Sequence, residues 1–183
     1  MEKKIFYIAN MRVPTEKAHG YQIFQMCQAF QKNRKKVTLI VPYRRNPKSL
    51  RGKDPFEYYN VKKPFTIKTL FCPDFLWIFS PLNYFTTKQQ YLANILNIIF
   101  YSLYLVLFFL FRNIAGSVYI RDEKIFALIS PILKLKGIKT CLEIHSISNN
   151  HYKLKKQLSI FRKTNYLITM TETMKNYIGQ YSS

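Results

Sequence analysis

A few side chains stand where their type and spacing permit chemistry. Glu143 and His145 end the apolar run 138–144, and Arg121 ends an earlier one at 117–121. An imidazole in such a place can donate to a hydroxyl or a phosphate, and it changes charge near neutral pH. Read on its own, a histidine at a strand end is better explained as a cap for the next helix, because an isolated histidine is poor evidence of catalysis. Near the amino terminus, Arg12, Lys17 and His19 precede Gly20 in a polar loop. A glycine there lets a ligand approach the backbone, and the unpaired amides of a helix start attract phosphate. The spacing is neither Gly-x-Gly-x-x-Gly nor a Walker loop, so a dinucleotide or nucleoside triphosphate held in the usual grip is disfavoured. On spacing alone, an ordinary strand-to-helix turn explains Gly20 just as well. Thr171 and Glu172 follow the last apolar run, 166–170, and Thr171 can cap a helix.

These residues need a scaffold, and the hydrophobic pattern supplies one. Residues 5–9 are a short apolar run without helical period, and 37–41 is another, rich in β-branched residues as a strand buried on both faces should be. Between them Ile23, Met26, Cys27 and Phe30 recur at helical spacing, predicting a helix over 20–32. The unit is β-α-β, with loop 10–19 at the carboxyl end of its first strand, where open α/β sheets bind ligands. Pro42, Pro47, Gly52 and Pro55 mark 42–63 as loop with room for one short helix. Strands are expected at 65–71, 117–121, 138–144 and 166–170. A helix over 125–136 carries Phe126, Ile129, Ile132 and Leu133 on its apolar side, and Gly137 closes it. With all strands parallel, Glu143 and His145 reach the same edge as His19. The expectation is one α/β domain over 1–183, a Rossmann-like doubly wound parallel sheet.

The run from Arg12 through Pro14, His19 and Gly20 to Ile23 resembles the first loop and helix of family 4 glycosyltransferases of the GT-B fold, in their amino-terminal subdomain. The strand ending at Arg121, the helix, Gly137 and the strand ending Glu-x-His form a second similarity. Thr171-Glu172-Thr173-Met174-Lys175 forms a third, with threonine where serine is commoner. The resemblance covers nearly all of the chain but about half of a working enzyme, because the donor domain with its Glu-x7-Glu pair is not read here. It implies transfer of a sugar from a nucleotide-sugar to a hydroxyl on a lipid-linked or polysaccharide-precursor acceptor, with no cofactor beyond that co-substrate and no metal. It places His145 at the reacting centre, Gly20 beside the donor phosphates, and His19, Lys17 and Arg12 on the acceptor side. Arg121 and Glu143 become candidates for orienting His145 or the acceptor, and Thr171 and Glu172 enter the closing helix.

Composition narrows the partners. With 29 Lys and Arg against 9 acidic residues, the formal charge is +20, which calls for an anionic surface or an anionic small molecule. The charge is spread over 32–36, 44–53, 62–63, 134–139 and 153–163, a pattern also compatible with a merely solvated surface. No clustered basic-aromatic motif of nucleic-acid readers appears, so nucleic acid is not expected. Cys27, Cys72 and Cys141 are far apart and lack metal spacing, consistent with reduced thiols. The first apolar run is too short for a secretory leader, so a cytoplasmic chain is expected.

Residues 92–111 are the most apolar stretch and long enough to be weighed as a membrane span. Lys88 and Arg112 flank it, so charge gives no orientation. A span would put the first β-α-β unit and the later strands on opposite sides of a bilayer, which favours a helix buried in the domain or lying in the membrane surface. The aromatic segment 75–85, broken by Pro81, offers Trp77, Phe79 and Tyr84 as core or as acyl-chain contacts. The expected place is the cytoplasm, peripheral at the inner, anionic membrane face. Two other readings stay open: an acceptor- or membrane-binding module, or half of a split enzyme completed by a separately encoded donor domain; and a protein anchored through 92–111.

Overall fold

A computed structural model describes residues 4–79 and 86–181. The six apolar runs form strands β1 (Lys4–Ile8), β2 (Lys36–Pro42), β3 (Thr66–Leu70), β4 (Ser117–Ile120), β5 (Lys139–Ile144) and β6 (Tyr166–Thr169). All pair in parallel, in the order β3-β2-β1-β4-β5-β6. This is the Rossmann-like α/β sheet expected. After β3 the chain returns to the centre of the sheet and builds outward the other way, so the order reverses between β1 and β4. A crevice opens at such a reversal, outside the carboxyl ends of the strands.

Side chains alternate across the sheet and create a core on each face. Tyr7, Leu39 and Tyr119 point to one face and meet Ile23, Phe24 and Cys27 of α1 (Ala18–Lys32). Ile8, Ile40, Val118, Ile120, Leu142 and Ile144 point to the other. They are covered by α4 (Thr87–Leu110) and α5 (Glu123–Leu135), with Phe161 of α6 (His151–Phe161) and Ile178 of α7 (Glu172–Gly179). Loop 42–63 contains one 3₁₀ turn and a short α2 (Pro55–Tyr58), and α3 (Phe75–Phe79) precedes α4. Pro81 and Tyr84 lie outside the described residues.

Local signals set the helix limits. Thr86 and Gln89 form a capping box at α4, and Asp122, Asn150 and Thr171 cap α5, α6 and α7. At the end of α5, Ile138 N–H bonds Leu133 O and Gly137 N–H bonds Lys134 O, with Gly137 at φ 64°. Only a left-handed residue closes a helix this way, which is why glycine stands there. Pro131 inside α5 has no N–H to give Ala127 O, and Ser130 Oγ donates to that carbonyl instead, at 3.3 Å.

Helix α4 is part of the domain. Ala93, Asn97, Tyr101, Leu105 and Phe109 are buried against the sheet and α5. Tyr101 Oη donates to Ile40 O at 2.9 Å and Ala9 O at 3.2 Å, and Asn97 Oδ1 accepts from Phe75 N at 3.0 Å. The opposite stripe, Leu92, Ile99, Leu103, Leu107 and Leu110, is exposed. The helix is long and apolar enough to cross a membrane, yet a third (33%) of its most apolar window is buried. Both its inward and its outward stripes are apolar, unlike an ordinary surface helix, whose outer face is polar.

Candidate functional site

Arg121, Glu143 and His145 meet at the carboxyl ends of β4 and β5. Register sets this up: Tyr119 pairs with Cys141, so two residues further on Arg121 stands beside Glu143. Glu143 Oε1 lies 3.2 Å from Arg121 Nε and 2.8 Å from His145 Nε2, and Oε2 accepts from the Tyr119 hydroxyl. A buried carboxylate is costly unless its lone pairs are filled, and here donors from three residues fill them.

His145 Nε2 is also 2.9 Å from Arg121 Nε, and one nitrogen cannot both donate to Glu143 and accept from Arg121. Placing the proton on Nε2 resolves this. Nε2–H then donates to Glu143, and bare Nδ1 accepts from Arg121 Nη2 at 3.4 Å. The side chain of His145 is 36% exposed against 6% for Glu143, so the carboxylate holds the imidazole from behind while one side stays open. Burial and then the Arg121 charge lower the His145 pKa, with Glu143 opposing them. A neutral imidazole oriented by a carboxylate can take a hydroxyl proton, and the adjacent guanidinium can stabilise charge on a leaving group.

Loop 10–19 reaches the same edge. Gln22 Oε1, on the first turns of α1, accepts from Arg121 Nη2 at 3.2 Å and ties α1 to the network. The charges of Lys17 and Arg121, after burial, lower the pKa of His19. Arg12, Lys17 and His19 line a cleft of about 580 Å³ together with Arg44, Asn46 and Asp74. That volume suits a small ligand. Arg12 Nη2 donates to both Glu16 carboxylate oxygens, and this bond holds the Glu16 carboxyl below its usual range.

Gly20 plays a different part from the one expected. The helix starts at Ala18, and the space a Cβ would need at Gly20 is filled by the Tyr59 ring and the Thr15 methyl. Tyr59 Oη donates to Thr15 O at 2.8 Å and accepts from Thr15 N at 2.6 Å, clamping the loop. The close approach at this glycine is therefore made by the chain itself.

Arg121, Glu143 and His145 thus form one cluster, and Arg12, Lys17 and His19 line the adjoining cleft. Thr171 and Glu172 spend their side chains inside α7: Thr171 Oγ1 accepts from Met174 N at 3.2 Å, and Glu172 pairs with Lys175 at 3.0 Å. Sequence reasoning passed over Tyr7, stacked on Tyr119 with centroids 4.8 Å apart, and Arg44, Asn46 and Asp74 in the cleft. Arg44 and Asn46 come just after β2 and Asp74 soon after β3, so the strand-end rule that picked out loop 10–19 could have found them. Nothing in the spacing of Tyr7 marked it. Among the described residues no group of His, Cys, Asp and Glu is placed to hold a metal ion.

No protein-family model matches the chain, and no curated protein matches it significantly. The resemblance to family 4 glycosyltransferases therefore rests on the motif residues alone.

Proposed function

We propose that this chain is the acceptor-side half of a GT-B glycosyltransferase, moving a sugar from a nucleotide-sugar to a hydroxyl on a lipid-linked or polysaccharide-precursor acceptor. One observation carries the reading. The Arg121–Glu143–His145 network and the cationic cleft share one strand-end edge, and Gln22 ties α1, the helix that follows the cleft loop, to Arg121. In this reading Arg121 Nη2 turns from His145 Nδ1 toward the donor, and the freed Nδ1 accepts the acceptor hydroxyl's proton as the bond to the sugar forms. Arg121 faces the diphosphate that leaves with the electron pair of the broken bond. A second domain facing the same edge would supply the remaining donor contacts. The test is transfer of labelled sugar from nucleotide-sugars into a bacterial membrane-lipid extract, by the chain alone and with a separately expressed donor domain. Incorporation that His145→Ala abolishes supports the proposal. Incorporation unaffected by His145→Ala, or none with any donor under either condition, overturns it.

The outward face of α4 supports a second part of this reading, attachment to an anionic membrane. Exposed Leu92, Ile99, Leu103, Leu107 and Leu110 form one stripe. Cations border it: Lys68 Nζ lies 5.3 Å from the Phe108 ring centre and Arg112 Cζ 5.1 Å. A stripe of leucines rimmed by cations fits shallow insertion among anionic headgroups. Flotation with vesicles containing phosphatidylglycerol tests it. Binding lost on replacing Leu103 and Leu107 by serine supports attachment through this face, and undiminished binding removes it.

A further inference from the structure

Four buried side-chain atoms of residues that line the cleft have no hydrogen-bond partner: Arg12 Nε, Arg44 Nη2, Asn46 Oδ1 and Asp74 Oδ1. Buried polar atoms without partners are costly and therefore uncommon, and among the described residues only one other, Ser102 Oγ, lies elsewhere. Each of the four side chains is anchored by its other atoms. Arg44 Nη1 donates to Tyr43 O and Pro73 O, both at 3.1 Å, and Asn46 Nδ2 donates to Val13 O at 3.0 Å. Asp74 Oδ2 accepts from Arg45 N at 3.0 Å, and Arg12 is held by Glu16. The partnerless groups are thus held in place in advance, as a binding site requires.

Their chemistry defines the ligand. Two guanidinium N–H groups call for an anion, while an amide oxygen and a carboxylate oxygen call for hydroxyl donors. Arg12, Lys17, Arg44, Arg45, Lys48 and Arg51 line the cleft against a single acid, Asp74. That excess favours a phosphate ester, with charge near −2, over a carboxylate. We propose that this cleft binds a sugar phosphate, the phosphate on Arg12 and Arg44 and the sugar hydroxyls on Asn46 and Asp74. Resting on the transferase reading, this makes the acceptor a phosphorylated sugar, either soluble or carried on a lipid.

The chain's one tryptophan, Trp77, lines the cleft with the Arg45 guanidinium 4.2 Å from its ring centre, so its fluorescence reports occupancy. The full chain is titrated with glucose 1-phosphate, glucuronate and glucose. A parallel titration uses phosphatidylcholine vesicles containing dihexadecyl phosphate. The expected result is saturable binding of glucose 1-phosphate, with glucose and glucuronate at least about tenfold weaker. Arg44→Gln weakens that binding by about tenfold or more, while Lys139→Gln, removing the same charge from the far end of β5, leaves it unchanged. Arg44→Lys keeps the charge but not the fork, and carries the same test if the glutamine variant does not fold. Tighter Arg44-dependent binding to the vesicles identifies a lipid-borne phosphate, and tighter binding of the soluble ester a free one. Equal losses in the Arg44 and Lys139 variants, equally tight glucuronate, or no saturable binding of either phosphate overturns the proposal. Binding is measured without turnover, so it can fail or hold independently of the transfer assay.

Discussion

Replacing Gly20 by alanine separates two accounts of the loop before α1. If glycine were there for a ligand, the variant would fold normally and lose binding alone. The structure puts the new methyl closer than 3.0 Å to both the Tyr59 hydroxyl and the Thr15 side chain. Overpacking of this kind costs about 1–3 kcal/mol. Pushing the Tyr59 ring aside also loosens its bonds to Thr15 N and O, worth about 1 kcal/mol each. Against this, alanine in a helix returns up to about 1 kcal/mol. The net loss is about 1–4 kcal/mol, read as the drop in unfolding free energy from urea titrations monitored by circular dichroism. For a chain of this size each kcal/mol lowers Tm by about 2–4 °C. Tyr59→Phe removes the nearest obstructing atom, so the double variant should lose less than the sum of the single losses. A Gly20→Ala chain as stable as the parent within about 0.5 kcal/mol, or strict additivity with Tyr59→Phe, would refute the packing account.

Other outcomes follow from the same geometry. Tyr101→Phe removes the hydroxyl that joins α4 to Ile40 O and Ala9 O, and should cost about 1–2 kcal/mol in urea unfolding; no loss would mean that α4 is not held to the sheet this way. Glu143 raises the His145 pKa, so Glu143→Gln should lower it further in an imidazole NMR titration, and a rise would contradict the network. Both His19 and His145 titrate below their ordinary 6.5 in the fold, so under acid conditions the unfolded chain binds more protons. Their contribution to stability is complete above about pH 6.5 and is lost as pH falls through the folded values, a slope that replacing both by glutamine should flatten. Burial holds the Cys141 thiol up, from 9.0 to about 11, leaving about a hundredfold less thiolate near pH 8. Cys27 and Cys72 are buried with raised pKa values too, so iodoacetamide should label all of them rapidly only after unfolding.

In the proposed transferase, the two clusters at the strand ends divide the work between them. A histidine backed by a carboxylate lies at β4 and β5, and an arginine-rich cleft follows β1, β2 and β3. Gln22 reaches Arg121 because α1 begins at the reversal point of the sheet, where neighbouring connections pass on opposite faces. That position explains why Arg121 influences both His19 and His145.

The amino-acid sequence alone determined the alternation of strands and helices, because apolar period is a local property that survives without neighbours. Residues 5–9 and 37–41 read as strands, and 138–144 delivered Glu143 and His145 to an edge, all from pattern and length. The span-like run 92–111 was legible as a helix, but not which stripe would be covered. That depended on Tyr101 meeting the ends of β1 and β2, far away along the chain. Only the tertiary structure decided what fills the space beside Gly20, since Tyr59 reaches Thr15 through packing rather than spacing. The same holds for the partnerless atoms of Arg12, Arg44, Asn46 and Asp74. Which polar groups find partners is settled by the fold's geometry, and no periodicity in the chain records it.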